Sequence, residues 1–577
     1  MRLTMVNYMD SSFVNCVATV AASSVVEWVE RRWAPLEAEG DEAWWLFSTQ
    51  GGKENMERRE RAEKAIVAFM SSKSMALMLR ELSMMRSLLE DEHLRRRVEV
   101  LALAYMPANA DEALRNEVNE LEAQCEELFN THRGVYAIDG SQFTENDARR
   151  VLSTTTDSAE AKAAWDAFMS VGAKTAPLLA RLVSLRNEIA RQCGFASFFD
   201  YRLAQQNIDP AEYMRLLDEL HDAVAGPFAV LKIRLDHRLV AKFRLSSGSQ
   251  LRPWHMGDLF FQETPKEALD EPIDLDAMWK DVDLIDMTRA YYTSIGFGSK
   301  IDAALAASDL FERDNKSSHA FAQRPARDSS RARMLANIEP NMYWAKTMIH
   351  EAGHCMYMAS INEDGALPFA LNDDAGSLVQ EGIAVMFDSF TNSADFHEVI
   401  LGRTLSDAAV KTLRAERRAA KLIGAAWCQV MIRFEKAMYE ADARGEQIDL
   451  DALWWQLKSK YQHVNGPNDL PLKRKASVED TPSSTFAAKI HILAAPVYYH
   501  SYAFGDMLAA QVRRRMAMAV GREDVWRQTS FAGLPAAGGW LMREIFAPAN
   551  RFKWNDLLER ATGERLTPKY FLETLTE

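Results

Sequence analysis

The sequence predicts an all-α protein that folds as a single large domain. Apolar side chains recur at helical spacing along most of the 577 residues, and strand-like alternation is confined to short stretches. Gly/Ser-rich linkers, low-complexity tracts and internal repeats are missing from the sequence. The length alone would allow several domains, but because no linker separates them, one domain over residues 1–577 is the simplest prediction.

Amphipathic helices follow one another through the first half of the chain. The helical patterns cover residues 25–33, 54–73, 75–105, 110–129, 159–193 and 210–243. Thr144 is a typical N-cap residue for one further helix, and Gly194 stops the helix that is predicted to end at Cys193. Charge runs such as Arg95-Arg96-Arg97 are typical of solvated helix faces, so we assign no function to them.

The composition limits the classes of partner and compartment. A formal net charge of -14 argues against general nucleic-acid binding, which needs clustered Lys and Arg. The five cysteines are odd in number and lack metal-like spacing, which indicates buried thiols in a reducing compartment. The first 26 residues lack the continuous apolar stretch of a secretory signal or a membrane-spanning helix. We therefore expect a cytoplasmic protein that binds neither membranes nor nucleic acid, and the sequence leaves its oligomeric state open.

The most informative stretch is His350-Glu351-Ala352-Gly353-His354, which reads H-E-x-x-H. Residues four apart lie on the same face of a helix, so the two imidazoles can bind one tetrahedral Zn²⁺ ion. Glu351 follows the first ligand and is near enough to the metal's open position to take a proton from a bound water. The pattern also occurs by chance in long helical proteins, and both histidines would then be hydrogen-bonded core residues.

A third ligand is predicted in the apolar helical run 376–387, which carries one carboxylate, Glu381. A lone Glu is rarely placed in such a run unless it is paired or bound to a cation. The intervening segment contains Gly365 and Pro368 and is long enough to turn the chain back, so the two helices can be antiparallel. With Glu381 added to His350 and His354, the sequence predicts one Zn²⁺ ion per chain.

Two irregular stretches precede the motif. Residues 246–265 combine Gly and Pro with aromatic and polar side chains, which is typical either of a functional loop or of an aromatic cap on the core. Residues 318–323 and 332–338 are predicted to form two short strands joined by a polar loop. A hairpin beside a zinc site would present an open edge, to which an extended peptide can bind through main-chain hydrogen bonds.

Polar rings are concentrated in residues 489–504. This stretch begins with Lys489 and contains His491, Tyr499 and Tyr502 among other His and Tyr residues. A core helix does not need so many polar rings, and a Tyr phenol can donate a hydrogen bond to a developing oxyanion. The structural alternative is an aromatic layer whose hydroxyl groups are all hydrogen-bonded.

Taken together, these stretches resemble the angiotensin-converting-enzyme family of zinc peptidyl-dipeptidases, peptidase family M2, and most of all its bacterial members. The likeness rests on the H-E-x-x-H motif with its distal Glu and on short matches that keep the family's order as far as Tyr570. The matches are Pro253-Trp254-His255, Phe260-Phe261-Gln262-Glu263, His319-Ala320-Phe321, residues 454–462, Lys489-Ile490-His491-Ile492, Tyr499-His500-Ser501-Tyr502 and residues 545–551.

The resemblance implies an ellipsoidal helical fold in which two lobes flank a deep channel, with a short β-hairpin beside zinc on the channel floor. It places the metal on His350, His354 and Glu381 and makes Glu351 the general base and then the general acid. Tyr502 would stabilise the tetrahedral oxyanion.

The resemblance also implies how a peptide is held. Ala320 and its hairpin would hold the substrate backbone, while His319 and His491 would bind a peptide carbonyl beyond the scissile bond. Lys489 and Tyr499 would bind the substrate's C-terminal carboxylate. Such a grip would make the enzyme count residues from the C-terminus.

The chain departs from the family pattern at several positions. Met256 stands where animal members have a Gln in the carboxylate grip, and its side chain cannot donate a hydrogen bond. Ser501 stands where they have a chloride-binding Arg, so we expect weak or no chloride activation. The family's Asp four residues after the zinc Glu is Val385 here. Asp388, two turns beyond Glu381, is a candidate to support the ligands in its place, the alternative being an ordinary solvated Asp.

The predicted function is zinc-dependent hydrolysis of short peptides inside the channel, with release of C-terminal dipeptides. An oligopeptidase, or an amidase dedicated to one peptide-like metabolite, would share the same zinc chemistry. A channelled binding protein that keeps zinc without catalysis is disfavoured, because binding does not need the base Glu351. A helical scaffold with accidental histidines would bind no stoichiometric metal.

Overall fold

The architecture is all-α, as the sequence predicts. The structure, a computed structural model, describes residues 11–270, 274, 276–363, 365–467 and 484–576. Its described part contains 22 α-helices and only four strands, each of two or three residues. The chain divides into two compact units. Unit 1 comprises Met1–Asn109, Asp274–Leu405 and Leu508–Thr567, and unit 2 comprises Ala110–Ile273, Ser406–Met507 and Pro568–Glu577.

Unit 1 carries the H-E-x-x-H helix. Its elements are α1 (Ser11–Gln50), α2 (Lys53–Met70), α3 (Lys73–Met84), α4 (Glu92–Ala104), α11 (Leu284–Ser294), α12 (Gly298–Ala307), β3 (Phe321–Gln323), β4 (Arg333–Leu335), α13 (Met342–Met358), α14 (Ser377–Asp388), α15 (Ala394–Leu401), α20 (Pro535–Leu541) and α21 (Trp554–Thr562). A π-helical turn over Met542–Phe546 follows α20.

Unit 2 carries the stretch rich in polar rings. Its elements are α5 (Glu112–Thr131), β1 (Gly134–Val135), β2 (Gln142–Phe143), α6 (Glu145–Thr154), α7 (Ser158–Met169), α8 (Val171–Gln192), α9 (Phe198–Gln205), α10 (Pro210–Lys242), α16 (Asp407–Ala443), α17 (Leu450–Gln462), α18 (Ile490–Ala494) and α22 (Lys569–Glu573). Helix α19 (His500–Ala519) begins in the part of the chain assigned to unit 2 and ends in the part assigned to unit 1.

Local capping explains where the predicted helices break. The pattern over 75–105 is divided because Asp91 accepts hydrogen bonds from the backbone amides of His93 and Leu94 and so starts α4 as a new helix. The pattern over 159–193 is also divided into two helices, α7 and α8, which meet at Ser170 without a side-chain hydrogen bond that caps α8. Thr144 is the N-cap of α6, as predicted, and forms a capping box with Asp147.

The hairpin before the metal helix is confirmed and is shorter than predicted. Strands β3 and β4 are antiparallel, with Phe321 opposite Leu335 and Gln323 opposite Arg333. Lys316 ties the hairpin to the segment before it, because its buried ammonium donates to the carbonyl of Ala336, just after β4, and to the carbonyl of Asp309. Strands β1 and β2 form a second small hairpin that the sequence did not predict.

Helices α13 and α14 run antiparallel, as predicted. Asp388 at the end of α14 contacts His350, whereas Gln380 near its start contacts His354, one turn further along α13. Close packing holds the two helices together, since a Cβ on Gly353 would lie only 2.9 Å from the ring of Phe387. On another side of α13, the hydroxyl of Tyr292 donates to the carbonyl of Ile349 at 2.6 Å.

Two expectations about surface and burial are corrected. Arg96 is not on a solvated face: it is only 6% exposed and donates through Nη2 to Oδ1 of Asn550 at 2.6 Å. Arg97 likewise forms a two-bond ion pair, in which its Nε and Nη2 donate to the two carboxylate oxygens of Glu30. Four of the five cysteines are buried free thiols as predicted, but Cys16 is exposed. Among the described residues, no helix is both long enough and apolar enough to cross a lipid bilayer.

Candidate functional site

Helix α13 presents the two histidines of the motif to the same point. Its N-terminus is fixed by Asn341, whose side chain accepts a hydrogen bond from the backbone amide of Trp344. His350 and His354 are one turn apart, and their Nε2 atoms lie 3.2 Å from each other. His354 is buried and His350 is partly buried, so the pair lies below the surface of unit 1.

Glu381 on α14 completes the cluster that the sequence predicted. Its Oε2 lies 3.7 Å from Nε2 of His350. One donor atom from each of His350, His354 and Glu381 can be chosen so that all of them lie within 4.8 Å of one another. The structure therefore brings Glu381 close to His350, which lies 31 positions earlier in the sequence, and to His354.

Both imidazoles are oriented by side chains of α14. Nδ1 of His350 lies 3.0 Å from Oδ2 of Asp388, which confirms Asp388 as a supporting residue rather than a solvated one. Nδ1 of His354 lies 2.6 Å from Oε1 of Gln380. The Gln380 amide is itself held, because its Nε2 donates to Oδ2 of Asp374 at 2.9 Å. The sequence did not single out Gln380, although it stands immediately before the predicted ligand.

These hydrogen bonds determine which nitrogens face the cluster. A carboxylate and an amide oxygen can only accept, so Nδ1 carries the proton in both rings and Nε2 points toward Glu381. Two nitrogens that bind one ion at tetrahedral zinc distances lie about 3.3 Å apart, which is close to the spacing of these Nε2 atoms. The N, N, O donor set is also one that zinc favours. The residues therefore fit a bound Zn²⁺ ion.

The charges in the cluster differ between the two rings. Burial opposes protonation of His350, but the hydrogen bond and charge of Asp388 outweigh it and raise the pKa of His350 to about 9. Burial and the charge of His350 lower the pKa of His354 to about 3, which keeps that ring neutral. A proton on Nε2 of His350 can thus bridge to Nε2 of His354. A metal cation would replace that bridging proton.

Glu351 faces the hairpin as well as the cluster. Its carboxyl group is only 8% exposed, and burial raises its pKa to about 7, against the opposing effect of the His350 charge. The backbone amide of Ala322 in β3 donates a hydrogen bond to Glu351 and lowers its pKa in turn. Glu351 is therefore positioned between the metal-type cluster and the outer edge of β3.

The residues predicted to hold a peptide in unit 1 lie directly before this strand. His319 is exposed, and its backbone amide donates to Oγ of Ser317 at 3.3 Å. Ala320 is partly buried and immediately precedes β3. Within the described residues, β3 pairs with β4 alone, so its other edge offers backbone groups to a ligand.

In unit 2, Lys489 stands at the start of α18 among aromatic rings. It is 6% exposed, and its ammonium lies 5.1 Å from the ring centre of Phe260 and 5.9 Å from that of Tyr499. Burial lowers its pKa to about 8. Its Nζ donates to Oε1 of Gln262 at 2.7 Å. Lys489, Tyr499 and Gln262 therefore form a compact group within this unit.

Gln262 is a neighbour of Lys489 that the sequence did not single out. Its side-chain amide oxygen accepts the hydrogen bond from Lys489, whereas Met256, which aligns with the Gln of animal members, has no amide. The backbone amide of Gln262 donates to Oδ2 of Asp258, and this bond closes a turn that contains Phe261, whose φ is 54°. Met256 is buried and lines a small cavity together with Trp165 and Trp454. The motif Phe260-Phe261-Gln262-Glu263 was the signal that could have identified this residue.

The two remaining predicted residues lie near Tyr499. The ring of His491 is 5.1 Å from that of Tyr499, and burial lowers the pKa of His491 to about 4, so the imidazole is neutral at physiological pH. Its Nδ1 is buried and has no hydrogen-bond partner among the residues that the structure describes. Tyr502 is 46% exposed and its ring lies 5.4 Å from that of Tyr499. The structure therefore places Lys489, His491, Tyr499 and Tyr502 together in unit 2.

The fold and the site define an all-α protein with a His-His-Glu cluster suited to a metal ion. The family model described as angiotensin-converting enzyme, peptidase M2, matches residues 17–573, and the chain belongs to that family. Among curated proteins, the chain is similar to Carboxypeptidase 1 of Bacillus subtilis (strain 168), with 24% identity over 251 residues. That match covers 40% of this chain and 46% of the relative, so the chain spans just under half the length of that protein.

Proposed function

We propose that the protein is a zinc-dependent metallopeptidase of the gluzincin type that releases C-terminal dipeptides from short peptides. The single observation that supports it most is the convergence of His350, His354 and Glu381 with the buried carboxyl group of Glu351 beside them. In this proposal residues 1–577 act as one catalytic domain with one Zn²⁺ ion, and hydrolysis takes place inside a channel, as the family resemblance implies. A cytoplasmic location remains a prediction.

The proposed roles in unit 1 come from the family resemblance, and the position of Glu351 between the cluster and β3 supports them. When bound, zinc would supply a Lewis acid that polarises the scissile carbonyl and lowers the pKa of water. Glu351 accepts a proton from the attacking water and then delivers it to the leaving nitrogen. The peptide backbone lies along the outer edge of β3 near Ala320, and His319 donates to a peptide carbonyl.

The proposed roles in unit 2 come from the family resemblance and concern the binding of a peptide's C-terminal end. Lys489 provides the charge for the terminal carboxylate, with Tyr499 and Gln262 as neutral hydrogen-bonding groups around it. His491, which is neutral, donates to a peptide carbonyl. Tyr502 donates its phenolic proton to the oxyanion of the tetrahedral intermediate, and a positioned donor of this kind is typically worth about 3 kcal/mol.

The experiment that tests this function is product analysis by mass spectrometry on short peptides with free or amidated C-termini, with and without a zinc chelator. We expect the chelator to abolish release of dipeptides from the free acids and expect the amides to be poor substrates. Cleavage that persists in the chelator would contradict the zinc proposal. Cleavage at internal positions regardless of the C-terminus would favour an oligopeptidase, and no cleavage would favour an amidase dedicated to one peptide-like compound.

A carboxypeptidase is a second candidate, favoured by the similarity to Carboxypeptidase 1 of Bacillus subtilis. It would use the same residues around the metal and the same carboxylate grip. The two activities would differ in the number of residues between the scissile bond and the substrate's C-terminal carboxylate, because a carboxypeptidase removes one residue at a time. The same mass spectra distinguish the two, since the first product would be a free amino acid and not a dipeptide.

A further inference from the structure

Unit 1 contains a cavity whose lining includes none of the residues of the metal-type cluster. It has a volume of about 550 Å³ and lies where the end of α3 and the start of α4 meet residues 551–556. Its lining includes five cationic side chains, Arg86, Arg95, Arg96, Arg551 and Lys553. Three acidic side chains also line it, Glu92, Glu99 and Asp556. Such a concentration of cations is unexpected in a chain whose formal net charge is -14.

The acidic residues do not balance these cations. Glu99 is shared, because Arg96 lies 3.3 Å, Arg86 3.4 Å and Lys553 4.0 Å from its carboxylate. Asp556 already pairs with Arg565, which is not part of the lining, at 2.9 Å. One carboxylate thus serves three cations, Glu92 pairs with Arg95 at 3.4 Å, and Asp556 is engaged outside the lining. Five cations face three carboxylates, and within the described residues Arg551 is the cation of the lining without a carboxylate in reach. The cavity keeps a surplus of positive charge.

Arg551 is the clearest sign that the surplus is available to a ligand. Among the described residues it has no carboxylate within 4.0 Å, and its Nε atom is buried without a hydrogen-bond partner. Because Nε is closed to solvent, a ligand in the cavity would bind Arg551 through its terminal guanidinium nitrogens, which have no carboxylate partner among the described residues. Beside it, Arg96 is held rigidly by two hydrogen bonds to Asn550, so the base of the cavity is preorganised.

We propose that this cavity binds a small organic phosphate. Four of the five cations are Arg, and the planar guanidinium matches the paired oxygens of a phosphate group. Phe552 and Met84 add apolar surface on which a flat organic body can pack. The volume lies within the usual range of about 300–1,000 Å³ for small-molecule sites. A cavity of that size on an acidic protein disfavours a nucleic-acid strand.

The test is isothermal titration calorimetry of the zinc-loaded full chain with phenyl phosphate, inorganic phosphate and phenylacetate as probes. We expect saturable 1:1 binding of phenyl phosphate, weaker binding of inorganic phosphate and the weakest binding of phenylacetate. Replacement Arg551→Gln, and separately the more exposed Arg95→Gln, should each lower the affinity for phenyl phosphate about tenfold, the usual effect of one charge-assisted hydrogen bond. Raising the salt concentration should weaken binding of phenyl phosphate further.

The matched control is Arg80→Gln, which removes an exposed arginine of α3 that does not line the cavity. It should leave binding of phenyl phosphate unchanged. Peptide hydrolysis by all these variants should equal that of the parent, which also shows that they fold. The proposal is overturned if phenyl phosphate does not bind, if phenylacetate binds as tightly, or if both cavity variants bind like the parent. Binding that disappears in His354→Ala and survives in Arg551→Gln would place the phosphate at the metal cluster and would equally overturn it.

Discussion

Nδ1 of His354 lies 2.6 Å from Oε1 of Gln380, so a neutral amide orients this imidazole, while the carboxylate of Asp388 orients His350. The two supports have different electrostatic effects. A carboxylate raises the basicity of the ring it contacts, whereas an amide fixes the ring's orientation and adds no charge. The cluster therefore limits its negative charge to Glu381, Glu351 and Asp388, all of which are partly or fully withdrawn from water.

Replacement of Gln380 by Leu should weaken zinc binding. Without the amide, His354 loses the acceptor for its Nδ1 proton and its ring is no longer fixed, so we expect the zinc dissociation constant to rise about 10–100-fold. Competition with a chromogenic chelator measures this constant. The matched control is Gln456→Leu on α17, an exposed position. Equal zinc affinity in Gln380→Leu and the parent would show that the amide does not support the ligand.

Replacement of Glu351 by Gln should separate metal binding from turnover. The side chain keeps its size but cannot accept a proton, so we expect hydrolysis to fall by a factor of about 10²–10⁴ or more. Zinc content, measured by atomic absorption, should remain at one ion per chain, whereas His354→Ala should lose the ion. Glu398→Gln, at an exposed position on α15, serves as the control. Near-normal hydrolysis by Glu351→Gln would mean that another group is the base.

Replacement of Lys489 by Ala should affect only substrates with a free carboxylate. The ammonium is the buried cation of the proposed grip, so KM for free-acid peptides should rise about 10–100-fold and KM for the corresponding amides should change little. Steady-state kinetics on matched acid and amide pairs gives both values. Lys460→Ala, which removes an exposed lysine of α17, should alter neither. The same rise for acids and amides would remove Lys489 from the carboxylate site.

The preference for free acids should depend on pH. Burial lowers the pKa of Lys489 to about 8, so the ammonium is charged below this pH and loses its charge above it. The ratio of kcat/KM for free acids to that for amides should therefore fall about tenfold between pH 7 and pH 9. Titration of other groups cancels in this ratio. In Lys489→Ala the ratio should be low and independent of pH, and a ratio that is constant in the parent would contradict the assignment.

The contact between α13 and α14 should not tolerate a methyl group at Gly353. A Cβ there would lie 2.9 Å from the ring of Phe387 and 3.1 Å from the hydroxyl of Tyr292. Gly353→Ala should lower the free energy of unfolding by about 1–3 kcal/mol, as measured by urea denaturation. Gly424→Ala in the middle of α16 is the control, because nothing lies within 4 Å of its Cβ, and it should stabilise the protein by about 0.5–1 kcal/mol. Equal stability of the two variants would contradict the tight packing.

Local spacing made part of the site predictable. His350 and His354 are four residues apart, and a helix places such residues on one face whatever the rest of the chain does. Glu381 could be inferred because a carboxylate in an apolar helix needs a partner. Asp388 could be named only as a candidate, from its position two turns beyond Glu381 and from Val385, which replaces the family's Asp. The helices themselves followed from apolar periodicity, and the break at Asp91 was missed because capping competes with that periodicity over only a few residues.

The tertiary structure alone decided which distant groups meet. Gln262 contacts Lys489 across 227 positions of the chain, and Arg96 contacts Asn550 across 454, so no local pattern could reveal either pair. Neutral amides such as Gln262 and Gln380 also leave little trace in a sequence, because they can be buried or exposed with little difference in the surrounding pattern. The sequence by itself determined the helical class and the metal-type motif, with Glu351 next to its first histidine. The packing of the helices decided the hydrogen bonds that orient those residues and the surplus of charge around Arg551, because both depend on which surfaces come into contact.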